Sequence, residues 1–181
     1  DFQSDDFNSF LNSWWSIIKL NDFTGLATQV GNYNIPYQII IYLMTLLPLN
    51  ALYAYKIVSI IFDFVLAIST AMLAYSFAKN NRRLKAILTY SAVLLSATVI
   101  FNSSFWAQCD SIYTSFIILA ILFLHKDKPI ASFVFIGIAF AFKLQTVFII
   151  PVLLYYWIST KKISILHFFI IPAVDVIMCL P

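Results

Sequence analysis

Long apolar runs separated by clusters of basic residues constrain the fold of this chain more than any single motif does. Hydrophobic residues make up 62% of the 181 positions, charged residues make up only 10%, and the mean hydropathy is +0.90. Because about a quarter of the residues in a soluble domain are charged, this composition excludes a soluble domain. We therefore predict an integral membrane protein.

The apolar runs predict an all-α polytopic transmembrane bundle. Barrel strands would alternate polar and apolar residues over about ten positions, and the sequence, which has only three glycines, lacks such alternation. The net charge of +3 is too small to indicate a nucleic-acid partner. Cys109 and Cys179 lack metal-ligand or redox spacing and are interpreted as two free thiols, with a disulfide left open.

Three basic clusters predict the orientation of the bundle. By the positive-inside rule, all three face the cytoplasm. The N-terminal stretch 1–34 carries four aspartates against one lysine, so it is expected on the opposite side. The clusters consist of Lys79, Arg82, Arg83 and Lys85, of Lys126 and Lys128, and of Lys161 and Lys162.

About six membrane spans follow from these clusters and the runs between them. Crossings of about 15 residues are shorter than the usual 20 or so, but a bundle or a thinned bilayer accepts them. One very long helix over 129–160 is the alternative to two short crossings, but it leaves the third basic cluster on the wrong side. The predicted spans are 51–78, 86–104, 111–125, two crossings within 129–160 that turn at 142–145, and 163–180.

Residues 1–50 are predicted to form an external loop, followed by the transmembrane bundle over 51–181. Within the loop, 7–20 suits an interfacial helix whose tryptophans lie at headgroup depth, and 37–47 suits a juxtamembrane or re-entrant helix. Because the chain begins in an external loop and stops at Pro181 on an apolar run, we expect it to be a fragment of a longer polytopic protein that lacks at least one helix before residue 1 and more after Pro181.

A polar island at 102–110 separates two of the apolar runs. Asn, Ser, Gln and Asp side chains in hydrocarbon each need a partner or water, so such an island lies at a membrane edge or lines a cavity. The predicted topology puts it on the outer side. There we expect Trp106, Gln108 and Asp110 to form one wall of a cavity.

Ionisable residues within or beside the predicted spans are candidates for function. Lys56 and Asp63 are seven positions apart, so they share one helix face at about 10 Å. For Asp63, a helix–helix clamp and a functional role both stay open. Lys143 lies near Gln145 at the predicted turn. Its ammonium either snorkels to the interface or binds an anionic group such as a lipid phosphate.

Several carboxylates gather on the predicted outer side. Asp5 and Asp6 precede the first helix, and Asp110 belongs to the polar island. Carboxylates in such a group coordinate a divalent cation or act as a general base toward a hydroxyl. Helix capping alone would also explain Asp5 and Asp6.

Taken in order along the chain, five segments resemble the N-terminal half of the polytopic GT-C glycosyltransferases. That family includes the catalytic subunit of the first GPI mannosyltransferase and bacterial membrane enzymes that use polyprenyl-phosphate sugars. The resembling segments are 4–10, with acids followed by aromatics, 32–37, 56–63, 101–112, and 142–145 with Pro151 after it.

The resemblance implies roles for particular residues. Asp6 falls on the catalytic aspartate of the family. Ser4 replaces the first acid of the Asp-x-Asp pattern of some relatives, so Asp5 is the second catalytic candidate and a divalent cation is left without assigned ligands. The expected substrate-binding residues are Trp106, Gln108, Asp110, Lys143, Gln145, Lys56, Asp63, Tyr33 and Tyr37.

The implied reaction is inverting transfer of a hexose, such as mannose, from a polyprenyl- or dolichyl-phosphate donor to an acceptor hydroxyl. The acceptor is a glycan or a lipid, and membrane lipids are further partners. Asp6 would act as the base, and Lys143 would contact the phosphate. The expected location is the bacterial cell membrane, or the ER membrane in a eukaryote, with the active site on the extracytoplasmic side. A transporter or flippase, and a non-catalytic membrane subunit, are the alternatives.

Overall fold

The structure is a computed structural model that describes residues 2–27, 29–31 and 33–180. Within these ranges the regular elements are helical and no residue lies in a strand, which confirms the all-α prediction. Asp1 of the acidic N-terminal stretch, Asn32 of the second resembling segment, and Pro181 lie outside the described residues.

The N-terminal segment is helical, as predicted for 7–20. A π-helical turn over Phe7–Leu11 continues into helix α1, Asn12–Asn21, and a 3-10 segment, Asp22–Ala27, follows. The buried side chains of this segment recur every three or four residues, which gives the helix one apolar face. They are Phe7, Leu11, Trp14, Trp15 and Ile18.

Helix α2, Ile35–Thr45, and the start of helix α3, Ala51–Phe77, complete an N-terminal core. Asn50 caps α3, because its side chain accepts a hydrogen bond of 3.0 Å from a backbone N–H in the first turn. Tyr55 of α3 is buried in this core, and its hydroxyl donates to the carbonyl of Leu11 at 3.0 Å. The N-terminal segment is therefore packed onto α3.

The predicted span 86–104 contains a bend. Helix α4, Arg82–Leu94, stops before Ser96, whose extended backbone (φ −65°, ψ 125°) interrupts the helix. Helix α5, Ala97–Ile100, and a π-helical turn, Phe101–Phe105, then continue at 45° to α4. The pattern of apolar residues did not predict this bend, because that pattern does not depend on the backbone dihedral angle ψ of a single serine.

Lys143 separates the two helical segments predicted within 129–160. Its backbone is extended (φ −155°, ψ 128°), so the predicted interruption is confirmed and one long helix is excluded. The remaining elements are α6, Asp110–His125; α7, Pro129–Phe142; a 3-10 turn, Leu144–Ile149, leading into α8, Ile150–Thr160; and a 3-10 turn, Ile165–Phe169, leading into α9, Ile170–Cys179.

The helices pack in the order α4, α3, α6, α7 and α9, each mainly against the next. Gly137 allows α7 to approach α9 closely, because an added Cβ would lie 2.6 Å from the Cβ of Val174. Small residues serve this purpose where helices pack in membranes. Beside this contact, Phe133, Ile136 and Ile171 belong to a second apolar core.

Helix length supports up to two of the six predicted spans. Among the described helices, Ala51–Phe77 is long and apolar enough to cross a bilayer by itself, and the bent pair over 82–105 adds a second on length and composition. The other apolar helical segments within the described ranges have 10–17 residues. Length and composition therefore do not establish the six-span arrangement.

Candidate active site

A cavity of about 530 Å³ lies where the N-terminal helix, the loop before α2, the polar island and the segment after α7 meet. Its walls combine charged and amide groups with aromatic and aliphatic side chains, as in most small-molecule sites. Five predicted site residues are among those that line it. The lining residues are Asp6, Phe10, Leu11, Trp14, Tyr33, Asn34, Gln108, Phe142, Lys143, Leu144 and Gln145.

Ser4 anchors the start of the helix that carries Asp6. Its Oγ accepts a hydrogen bond from the backbone N–H of Phe7 at 3.1 Å and donates to the carbonyl of Trp106 at 3.1 Å. The hydroxyl therefore caps the helix and ties it to the polar island. Asp6 consequently lies in the first turn, where the helix N-terminus favours a carboxylate. The serine that replaces an acid of the family pattern thus has a structural role here.

Gln108 connects the polar island to Asp6. Its Nε2 donates to Oδ2 of Asp6 at 2.6 Å, across 102 positions of sequence. The chain approaches Gln108 through Ala107, whose φ of +59° is uncommon for a residue other than glycine. The amide orients the carboxylate and leaves its negative charge in the cavity, because a hydrogen bond from a neutral donor transfers no charge.

Asp110 holds Lys143, which is the cationic group of the cavity. Oδ1 of Asp110 pairs with Nζ of Lys143, and Oδ2 accepts a hydrogen bond from Nδ2 of Asn102 at 2.9 Å. The Lys143 side chain is the more buried partner, 17% exposed against 36% for Asp110. Asp110 is outside the cavity lining, so it positions the ammonium.

The Lys143 ammonium also lies near two aromatic rings. Nζ is 5.9 Å from the ring centroid of Tyr33 and 5.7 Å from that of Tyr113, within cation–π range. Burial lowers the pKa of Lys143, but the hydrogen bond to Asp110 and its charge outweigh burial and raise that pKa above its ordinary value. The side chain therefore carries a positive charge at neutral pH.

Tyr33 and Tyr37 differ in their relation to the cavity. The ring of Tyr33 lines it and stands 4.7 Å from that of Tyr37 and 5.5 Å from that of Trp14, between centroids. Tyr37 is 2% exposed and belongs to the N-terminal core. The structure therefore does not bring Tyr37 to the cavity wall with Tyr33, because its ring is enclosed by other side chains.

Cys109 lies behind the two tyrosines. Burial raises the pKa of its thiol and also that of the Tyr33 hydroxyl, and the two groups interact with each other. Both groups are therefore protonated at neutral pH. Cys109 and Cys179 are free cysteines, as interpreted from their spacing.

Lys56 and Asp63 do not line the cavity. Nζ of Lys56 donates to the backbone carbonyl of Phe2 at 3.0 Å. Asp63 is 5% exposed and accepts a hydrogen bond from Oγ of Ser111, so it connects α3 to α6. Their expected role in substrate binding is not supported, since shared placement on one helix face did not bring them to the site. The alternative interpretation, in which Asp63 links two helices, agrees with its hydrogen bond from Ser111.

Two other predicted residues also lie outside the lining. Asp5 is exposed, and the Trp106 side chain is 52% exposed. Trp106 contributes its backbone carbonyl, which accepts the hydrogen bond from Ser4. A sequence pattern of side chains cannot predict such a backbone contact. The sequence analysis did not identify Asn102 as a residue that positions Asp110. Its place in the polar island was the signal that could have indicated this role. The sequence analysis also did not identify the aromatic lining residues Phe10, Trp14 and Phe142. Aromatic residues at helical spacing have the same pattern as residues of a hydrophobic core.

The described residues offer no cluster of three or more His, Cys, Asp or Glu side chains that could hold a metal ion. Asp6 is held by Gln108, and Asp110 pairs with Lys143. The divalent cation considered from the sequence therefore finds no ligand set in this part of the chain, and no step is assigned to it.

Comparisons of this chain with protein-family models, with curated proteins and with solved structures found no match. The resemblance to GT-C glycosyltransferases accordingly depends on the quoted segments alone.

Proposed function

We propose that the protein is a membrane glycosyltransferase of the GT-C type. It transfers a hexose from a polyprenyl- or dolichyl-phosphate donor to an acceptor hydroxyl on the extracytoplasmic side. The observation that carries the proposal is that a carboxylate, Asp6, and an ammonium, Lys143, line one cavity with aromatic walls. A base and a phosphate partner are the two groups that such a transfer needs.

The proposed setting is a polytopic bundle of about six spans. Large apolar side chains along α3 are exposed, among them Ile61 at 53% and Ile68 at 51%, and a lipid environment would cover them. The short helices suit a thinned bilayer. All three basic clusters then lie at the cytoplasmic end, and the cavity opens at the other end.

Asp6 acts as the general base. It takes the proton of the acceptor hydroxyl as the acceptor oxygen bonds to the anomeric carbon and the bond from that carbon to the phosphate oxygen breaks. Displacement from the opposite side inverts the anomeric centre. The hydrogen bond from Gln108 keeps the carboxylate in place for this step.

Lys143 stabilises the departing polyprenyl phosphate. The leaving oxygen gains negative charge as its bond to the sugar breaks, and a fixed ammonium in a shielded cavity lowers the energy of that state. Asp110 and Asn102 hold the ammonium before substrate arrives. Trp14 and Phe142 supply apolar wall for the sugar and the first isoprene units.

The test uses the full chain in proteoliposomes with a radiolabelled polyprenyl-phosphate hexose and a hydroxyl acceptor. Asp6→Asn removes the base while keeping the size and the bond to Gln108, so we expect a loss of about 100- to 10,000-fold. Asp5→Asn is the matched comparison, because it removes the adjacent exposed carboxylate. We expect it to reduce transfer by less than about twofold, since that group lies outside the cavity.

Two results would overturn the proposal. Transfer by Asp6→Asn at the wild-type rate would remove Asp6 as the base. Failure of the wild-type protein to use any lipid-linked donor would remove the reaction class. Movement of the donor across the bilayer without transfer would instead favour the flippase alternative.

A further inference from the structure

A second large opening lies between α3 and α4, at the opposite end of the bundle from Asp6 under the proposed topology. Its volume is about 570 Å³, and its walls are almost entirely apolar. Ile68, Ala71 and Met72 of α3 face Ala86 and Ile87 of α4 across it. We call this opening the α3–α4 groove.

Two cationic side chains stand at one end of the α3–α4 groove. Lys126, which follows α6, lines it directly. Arg82 lies over Tyr75, another lining residue, with its guanidinium carbon 5.9 Å from the ring centroid. The apolar walls therefore end at a positively charged rim.

No carboxylate in the described part of the chain neutralises this rim. The ion pairs found there are Lys143 with Asp110 and Lys162 with Asp127. Asp127, the acid next to Lys126 in sequence, is thus already paired with Lys162 at 2.7 Å. Lys126 and Arg82 keep their charges available for an external anion.

The length of the groove matches one leaflet of a bilayer. Ile68 and Ser76 both line it, and eight positions of α-helix span about 12 Å. The hydrocarbon of one leaflet is about 15 Å thick, half of the bilayer core. A molecule with its anionic group at the rim would therefore extend its chain along the groove.

We propose that the α3–α4 groove binds an anionic phospholipid, with the phosphate between Lys126 and Arg82 and one acyl chain on the apolar walls. The charge of the rim selects this occupant over a neutral lipid. The basic clusters place the rim in the cytoplasmic leaflet, which carries the anionic lipids. The inference goes beyond the proposed transfer reaction and requires only that the bundle be embedded in a bilayer.

The test is native mass spectrometry of the full chain released from nanodiscs that contain equal amounts of phosphatidylglycerol and phosphatidylcholine. We expect the wild type to retain phosphatidylglycerol preferentially. The Arg82→Gln/Lys126→Gln variant removes both rim charges, and we expect retention to fall by about tenfold or more. Arg83→Gln/Lys128→Gln is the matched control, because it removes the same charge from neighbouring positions that neither line the groove nor lie over the Tyr75 ring.

A second variant tests the apolar part of the site. Ala71→Phe fills the groove and leaves both cations in place, so we expect it to displace the lipid as well. The thermal unfolding temperature of each variant in pure phosphatidylcholine shows whether it is folded. Equal losses in the rim variant and in its control, no headgroup preference in the wild type, or full retention in Ala71→Phe would each overturn the proposal. Because sugar transfer is not measured, these outcomes are independent of the glycosyltransferase assignment.

Discussion

The cavity at Asp6 and the α3–α4 groove have similar volumes, about 530 and 570 Å³, but opposite chemistry. The cavity receives charged and amide side chains from segments far apart in sequence, and these groups hold one another before any ligand binds. The groove is formed by two consecutive helices and is apolar except at its rim. The cavity therefore suits the proposed transfer reaction, which moves charge, and the groove suits the proposed retention of a lipid chain.

After Asp6→Asn, the largest effect on the activity of the cavity is expected from substitution of Lys143. Lys143→Gln removes the cation that would contact the leaving phosphate in the proposed reaction, and loss of one such donor costs about 100- to 1,000-fold in rate. The radiolabelled-donor assay measures it. Lys128→Gln, an exposed lysine away from both openings, is the control and should transfer at the wild-type rate.

Loss of Lys143 also leaves Asp110 without its ion-pair partner, so stability must be separated from catalysis. The Asp110→Asn/Lys143→Gln variant removes both charges and avoids that cost. We expect it to unfold near the wild-type temperature and still to be inactive. Recovery of transfer in the double variant would contradict a phosphate-binding role for Lys143.

Substitution of Gly31 tests whether its close contact with Trp14 is needed for the aromatic wall of the cavity. Its φ is +73°, and an added Cβ would lie 2.1 Å from the Trp14 ring. Gly31→Ala combines a left-handed backbone with displacement of that ring, which together cost about 3 kcal/mol. The free energy of unfolding in detergent measures it, and Gly25→Ala, which meets a side chain at 3.2 Å without a positive φ, should cost less.

Substitution of Ser111 tests its buried hydrogen bond to Asp63, which lies outside both openings. Ser111→Ala removes one of the two serine hydroxyls, those of Ser111 and Ser103, that hydrogen-bond to Asp63. Loss of one of these hydrogen bonds costs about 1 kcal/mol, so the free energy of unfolding should fall by that amount. Transfer per folded molecule should stay unchanged; a large loss of transfer in folded protein would assign Asp63 a functional role.

The smallest effect expected is a shift in pH dependence. Because Asp110 raises the pKa of Lys143 above its ordinary 10.5, the ion pair stabilises the fold below that value, and the contribution is lost as pH rises through the raised pKa. Donor affinity should therefore persist to pH above 10. In Asp110→Asn, the pKa of Lys143 loses the carboxylate charge that raises it, while burial still lowers it, so the alkaline loss of donor affinity should move to lower pH. An unchanged profile would contradict the coupling.

Most of the secondary structure could be predicted from the sequence, because helix formation follows from local patterns. The runs 7–20, 51–78 and 111–125 appear as helices with nearly the predicted bounds. Lys143 interrupts 129–160, as predicted from the cost of placing a charged residue inside an apolar membrane span. The bend at Ser96 was not predictable, because neighbouring apolar residues continue on both sides of it.

The sequence alone determined the residue types of the candidate site, its charge and its all-helical setting. These properties follow from the composition and from the spacing of residues along the chain, which govern local structure. Which of those residues meet was decided by the tertiary structure. Lys56 bonds the Phe2 carbonyl, while Gln108 reaches Asp6 across 102 positions. Such pairs depend on how whole helices pack, and a side chain takes the partner that packing brings within hydrogen-bond distance.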